Sequence, residues 1–131
     1  MAAFMKPFVP QTYAVLRIVT GLLFLWHGAS KLFGFPVPAP GEAPPFVIYV
    51  AGPIELVGGA LVMVGLFTRW AAFLCSGTMA VAYFMGHWIR TGDFFPILNK
   101  GELAVVYCWV FLLIAARGSG TWSVDAARSR E

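Results

Sequence analysis

Apolar residues fill four long blocks of the chain, separated by short polar, glycine- or proline-rich breaks. The first block covers residues 13–33 and stops at Gly34. The next stretch, residues 35–45, holds five prolines, which cannot continue a helix. It predicts a loop of about a dozen residues, long enough to be functional or disordered. The second block covers residues 46–67. Pro53 lies inside it and leaves the carbonyl of Tyr49 without a helical donor, which predicts a kink. In the same block Gly52 and Gly59 are one heptad apart, as are Gly58 and Gly65, giving a smooth face for close approach of another helix. Thr68-Arg69 reads as a tight polar turn. The third block covers residues 70–89 and is broken by Arg90-Thr91-Gly92-Asp93, with Phe94-Phe95-Pro96 as a short apolar loop. The fourth covers residues 100–116. Asn99 stands at its N-cap position with Glu102 three residues later, the spacing of a capping box. Arg117-Gly118-Ser119-Gly120 ends it, and residues 117–131 form a polar tail expected in water or among lipid headgroups.

Composition identifies the solvent. The chain is 60% hydrophobic and only 11% charged, with a mean hydropathy of +0.79. Soluble domains carry about 25% charged residues, so a bilayer must cover much of this surface. At about 20 residues per span, the 131 residues form a single membrane domain, 1–131. The expected fold is all-α, a polytopic four-helix transmembrane bundle. The net charge of +3 does not indicate nucleic acid, because the basic residues are scattered and form no stripe. They indicate topology instead. Lys6, Arg17, Arg69, Arg117, Arg128 and Arg130 lie on the side of the termini, against Lys31, Arg90 and Lys100 on the other. Both termini are therefore expected in the cytoplasm. Arg17 interrupts the first apolar run and no small-x-small cleavage site follows, so the run reads as a retained span rather than a signal peptide. Cys75 and Cys108 lie in apolar segments without a C-x-x-C spacing, which argues against dithiol exchange and a thiolate metal cage.

Few charges are present, and several fall inside the spans. An Arg, Lys or Asp at a helix centre costs about 2.5–3.5 kcal/mol on insertion scales, so such residues usually face a bundle interior, pair and mark a site. Glu55, His27 and His87 are the candidate catalytic groups. Arg17, Lys31, Arg90, Asn99 and Glu102 are candidate ligand-binding groups. His27 and Lys31 share a face near the end of the first span, as do His87 and Arg90 near the end of the third. Arg17 lies about 15 Å below His27 at 1.5 Å per residue. It either snorkels to the headgroups or pairs with Glu55. Structural readings stand beside these: capping for Glu102, helix-end anchoring for Lys31 and Arg90, and internal hydrogen bonding for the histidines. No H-x-x-x-H or Glu-x-x-His motif supports a metal or a haem.

The segments Arg17-Ile18-Val19-Thr20-Gly21, His27-Gly28-Ala29-Ser30-Lys31-Leu32-Phe33, Glu55-Leu56-Val57-Gly58-Gly59, Gly65-Leu66-Phe67-Thr68-Arg69-Trp70 and Phe95-Pro96-Ile97-Leu98-Asn99-Lys100-Gly101-Glu102, with His87, resemble the DoxX family of small bacterial and archaeal membrane proteins. The resemblance runs from about Val15 to Asp125. It implies a multi-pass protein of the cell (inner) membrane, similar to small subunits of thiosulfate:quinone oxidoreduction and to membrane complexes that handle oxidative and thiol stress. It also implies that Arg17, His27, Lys31, Glu55, His87, Asn99 and Glu102 form a shared polar interior.

Three functions fit these residues. The first is a redox-linked, quinone-interacting membrane subunit. In it the histidines bond a carbonyl oxygen, Glu55 carries a proton, Lys31 or Arg90 balances charge, and Phe24, Tyr83 and Phe94 line the ring. The second is a small-molecule or proton-coupled transporter unit, and the third a non-catalytic assembly subunit. Expected partners are the lipid bilayer and either a second copy of the chain or a redox subunit. No flavin or nicotinamide fingerprint is present, so an oxidoreductase role needs a bound quinone, haem or partner.

Overall fold

The structure is a computed structural model that describes residues 3–38 and 44–129. Its described residues contain helices and no strands. Helix α1 spans Ala3–Phe33, α2 Val47–Val64 and α3 Thr68–Ile89, and these three are long and apolar enough to cross a membrane. A single turn, α4 (Pro96–Asn99), leads into α5 (Glu102–Arg117), and α6 (Val124–Ser129) closes the described chain. Helix α5 has 16 residues, about 24 Å of rise, and is shorter than a full hydrocarbon crossing of about 30 Å.

Several boundaries differ from expectation. Helix α1 begins at Ala3, not near residue 13, because Pro7 and Pro10 sit in its opening turns, where a missing N–H costs little. Residues 39–43 of the proline loop lie outside the described residues. Thr68 and Arg69 open α3 rather than forming the turn. The turn is Gly65–Phe67: Gly65 is left-handed (φ 74°) and its N–H bonds Leu61 and Val62 carbonyls, while Phe67 is also left-handed (φ 50°). The apolar loop near residue 95 contains the α4 turn, with Pro96 at its start.

Pro53 does not stop its helix. It keeps helical dihedrals, and the turns on either side, Val47–Ala51 and Ile54–Gly58, widen to π-helical geometry. A widened turn accommodates the missing N–H without ending the helix. The Ala82–Ile89 half of α3 is widened in the same way.

Packing divides the molecule into two pairs, α1 against α2 and α3 against α5, joined where α2 meets α3; α1 and α5 touch only sparsely. Glycine makes the α1–α2 contact possible. A Cβ on Gly28 would lie 2.3 Å from the Leu56 nitrogen, one on Gly21 2.5 Å from that of Met63, and one on Gly59 2.6 Å from that of Leu25. The two backbones are in direct contact along the Gly52/Gly59 half of the predicted glycine face; Gly58 instead meets Cys75 of α3, and Gly65 lies past the helix end against Ser123. Gly21 and Gly28, again one heptad apart, supply the α1 side of the contact. The core combines Phe24, Tyr107, Phe111 and Ile114 with Val62, Ala72 and Cys75. Large apolar side chains such as Leu23, Val57, Phe73 and Leu113 face outward, which suits a lipid solvent rather than water.

Candidate functional site

The polar residues do not form one cluster. They divide into three, each set by a different part of the fold.

The first is built on the α1–α2 contact. Gly28 lets α2 approach so closely that Lys31, one turn further along α1, reaches Glu55 on the widened turn beside Pro53. Lys31 Nζ donates to both carboxylate oxygens, at 2.6 and 2.7 Å. Glu55 is 1% exposed, while the Lys31 side chain keeps 19% of its surface open. The pair is therefore a buried carboxylate covered by a partly accessible cation. His27 lies one turn before Lys31 and is exposed. Its ring meets the ring of Tyr107 on α5 edge-on, with centroids 6.0 Å apart. This places the pair beside the sparsely packed α1–α5 seam.

The second cluster joins the end of α3 to α4. His87 Nδ1 lies 3.0 Å from the Asn99 carbonyl; a carbonyl only accepts, so Nδ1 is the donor of this bond. Asn99 is nearly fully buried and fixes the preceding loop. Its Nδ2 donates to Asp93 O at 2.9 Å and to the Tyr83 hydroxyl at 3.3 Å, and its Oδ1 accepts from Gly101 N at 2.8 Å. The Tyr83 hydroxyl donates to the Phe94 carbonyl.

Here the capping-box expectation is corrected. Gly101, not Asn99, is the residue before α5, because Lys100 turns left-handed (φ 61°) between them. Asn99 therefore bonds two residues ahead as a turn, and Glu102 is exposed. Arg90 is exposed too, and neither makes a side-chain hydrogen bond among the described residues.

The third cluster surrounds Arg17, which is fully buried but does not meet Glu55. It is about 21 Å from Lys31 along α1. Its Nε donates to Val62 O at 3.1 Å, and its terminal nitrogens donate to the carbonyls of Ser119, Thr121 (3.1 Å) and Trp122 (2.7 Å). The snorkelling and Glu55-pairing alternatives are both replaced by a third arrangement, in which Arg17 holds the C-terminal tail. That tail is not a free polar segment. Gly118, Gly120 and Trp122 adopt positive φ and wind it around the guanidinium. Asp125 N donates to Gly65 O, and the Asp125 carboxylate accepts from Phe67 N (3.0 Å), Thr68 N (2.9 Å) and Thr68 Oγ1 (2.8 Å). It thereby caps α3 from outside the helix. Arg69 answers on the α5 side by donating to the carbonyls of Ala115 and Ala116, and Tyr13 Oη donates to Gly118 O at 2.6 Å.

Among the described residues, no three of His, Cys, Asp and Glu gather as a metal site would need. Of the ring-lining candidates, Tyr83 and Phe94 belong to the His87–Asn99 cluster, and Phe24 is packed in the core against Tyr107 and Phe111. Tyr107 itself escapes a reading of the sequence that weighs only charged and histidine side chains. Its one signal is a hydroxyl inside an otherwise apolar helix.

The DoxX family model matches residues 12–88. This chain belongs to the DoxX family. The match covers α1 to most of α3, and so includes Arg17, His27, Lys31, Glu55 and His87. Among similar DoxX-like relatives, a Haemophilus influenzae protein described only as "Uncharacterized protein" is 42% identical over 92% of this chain and 93% of its own length. The Bacillus subtilis protein named "Putative oxidoreductase CatD" is 41% identical over 85% of this chain and 82% of its own. The Mycobacterium tuberculosis "Uncharacterized membrane protein Rv3486" is 28% identical over 92% and 83%. No solved structure matches. Family, composition and outward-facing apolar helices agree that this is a membrane protein.

Proposed function

We propose that this DoxX protein is a redox-linked membrane subunit whose Lys31–Glu55 pair, with His27, receives the head of a quinone. The observation that carries the reading is the position of the pair: a buried carboxylate under a partly open ammonium, beside an exposed imidazole, at a sparsely packed seam of the bundle. Such a set offers a cation and a ring nitrogen to carbonyl oxygens, together with a carboxylate that can hold a proton. A bound quinone would supply the electron-accepting chemistry. The chain's own residues orient the ring oxygens, balance charge and keep a proton at Glu55 Oε. The oxidoreductase name of the Bacillus subtilis relative supports this direction.

In the same reading α5 completes a four-span bundle, both termini are cytoplasmic, and the site lies toward the outer leaflet of the cell membrane. Six of the nine basic residues lie on the side of the termini, which supports that orientation. Electrons come from a partner redox subunit, because the chain has no dinucleotide fingerprint of its own.

The test is binding of a short-chain ubiquinone analogue to protein purified in mild detergent, followed by tryptophan fluorescence. The wild type is expected to bind saturably, and the charge-neutral double variant Lys31→Met/Glu55→Gln to bind at least tenfold more weakly. A wild type that shows no saturable binding overturns the reading.

A further inference from the structure

Three tyrosines in the bundle contribute hydroxyls to buried polar positions, and two of them have structural partners. Tyr13 donates to the Gly118 carbonyl and Tyr83 to the Phe94 carbonyl. Tyr107 differs. It is only 6% exposed and its ring is fixed on three sides. Phe111 stacks on it at 5.8 Å, Phe24 packs at 5.3 Å, and His27 meets it edge-on at 6.0 Å. Its hydroxyl nevertheless has no hydrogen-bond partner among the described residues, although no buried side-chain nitrogen or oxygen atom is left unsatisfied there. The hydroxyl oxygen is therefore not sealed in. The Tyr107 ring meets His27 of α1 edge-on, so the hydroxyl is carried on a ring at the α1–α5 contact, where a polar group that loses water needs a partner.

We propose that Tyr107 is a ligand-contacting residue, whose hydroxyl donates a hydrogen bond from α5 to an oxygen of the planar, carbonyl-bearing ring that Lys31 and His27 approach from α1. This inference rests on the quinone reading above. It adds a third helix to that site and gives the seam a donor on each wall. Phe24 and Phe111 are buried almost completely, so they hold the Tyr107 ring still and do not line the ligand themselves. The hydroxyl then has a fixed position, which favours a rigid ring oxygen over a flexible chain.

Tyr107→Phe isolates the claim, because it keeps every ring contact and removes one oxygen atom. Thermal stability in detergent is expected to equal that of wild type, since no hydrogen bond within the described residues is lost. Affinity for the short-chain ubiquinone analogue is expected to fall roughly tenfold, the typical value of one well-placed hydrogen bond. Tyr83→Phe serves as the contrast and is expected to lower stability. If Tyr107→Phe binds the analogue like wild type while Lys31→Met/Glu55→Gln does not, the role of Tyr107 is refuted and the quinone site stands. If Tyr107→Phe is as destabilised as Tyr83→Phe, the hydroxyl has a structural partner and the proposal also fails. If wild type itself does not bind, both readings fall.

Discussion

Arg17 and Glu55 are the two most deeply buried charges among the described residues, and they are satisfied in opposite ways. Arg17 makes no ion pair with a carboxylate among the described residues. Four backbone carbonyls, one from α2 and three from the tail, take up four of its five N–H groups. Only one N–H of the guanidinium has no acceptor among the described residues. Glu55 is neutralised by one flexible, partly open lysine, and its surroundings include an exposed imidazole and an unpartnered hydroxyl. The difference separates a charge enclosed by backbone carbonyls from one covered by a single, partly open side chain. Burial alone does not distinguish them, because both are buried; the completeness of the hydrogen bonding does.

Removing Arg17 is the strongest way to break the comparison. Arg17→Met leaves the Val62 carbonyl and the folded tail without their donor. The expected loss is about 3 kcal/mol in unfolding free energy, since a buried acceptor stripped of its partner costs about 1–3 kcal/mol and the tail recovers part of that by peeling into water. Arg17→Lys is not expected to rescue it, because a lysine cannot present the planar fork that reaches several carbonyls at once. Limited proteolysis gives the second readout: the variant is expected to be cut between Gly118 and Asp125 while the rest stays intact. A variant as stable and as protease-resistant as wild type would show that Arg17 does not hold the tail.

The Lys31–Glu55 pair is expected to respond differently. Glu55→Gln alone leaves Lys31 facing an uncharged amide at a mostly buried position. A loss of about 2 kcal/mol is expected, below the roughly 3–5 kcal/mol of a fully buried pair because Lys31 is partly open. The double variant Lys31→Met/Glu55→Gln removes both charges and is expected to recover most of that stability, since a neutral, well-packed substitute often matches a buried pair. Quinone-analogue binding is not expected to recover. Stability and function therefore separate at this pair and stay together at Arg17. A double variant that regained binding would put the ligand elsewhere.

The helices were legible in the sequence because lipid demands long apolar runs, and the glycine face of α2 was legible because its spacing is a heptad. The hydrogen-bonding fate of each charge was not. Arg17 and Glu55 have opposite charges and lie in neighbouring spans, so pairing them was reasonable from depth alone. The sequence does not display backbone carbonyls as partners, nor the fold of a tail whose glycines at 118 and 120 bring those carbonyls to Arg17. By position in the sequence Lys31 fits either a headgroup anchor or a ligand group, yet Gly28 brings α2 near enough for it to reach Glu55. The capping box failed for a local reason: the left-handed turn at Lys100 moves the helix start two residues, and Asn99 is used to fix the loop that holds His87.

The smallest expected effect, at Asp125, sharpens the same contrast at the end of the tail. Burial by itself would raise the pKa of this carboxyl. Hydrogen bonds from Thr68 N, Thr68 Oγ1 and Phe67 N, with the charge of Arg128 nearby, outweigh it and hold the carboxyl below the usual aspartate range. A depressed folded-state pKa means the cap stabilises the fold fully above the unfolded value of about 3.9 and loses that contribution as pH falls through the lower folded value. Asp125→Ala is therefore expected to cost about 1 kcal/mol near neutral pH, the usual value of an N-cap. The gap between wild type and variant should close only in acid, below about pH 4. Melting temperatures of the two proteins across a pH series measure that gap. If it stays constant into strong acid, the carboxylate is not the source of the cap, and the tail is held by its other bonds, those of Arg17 first.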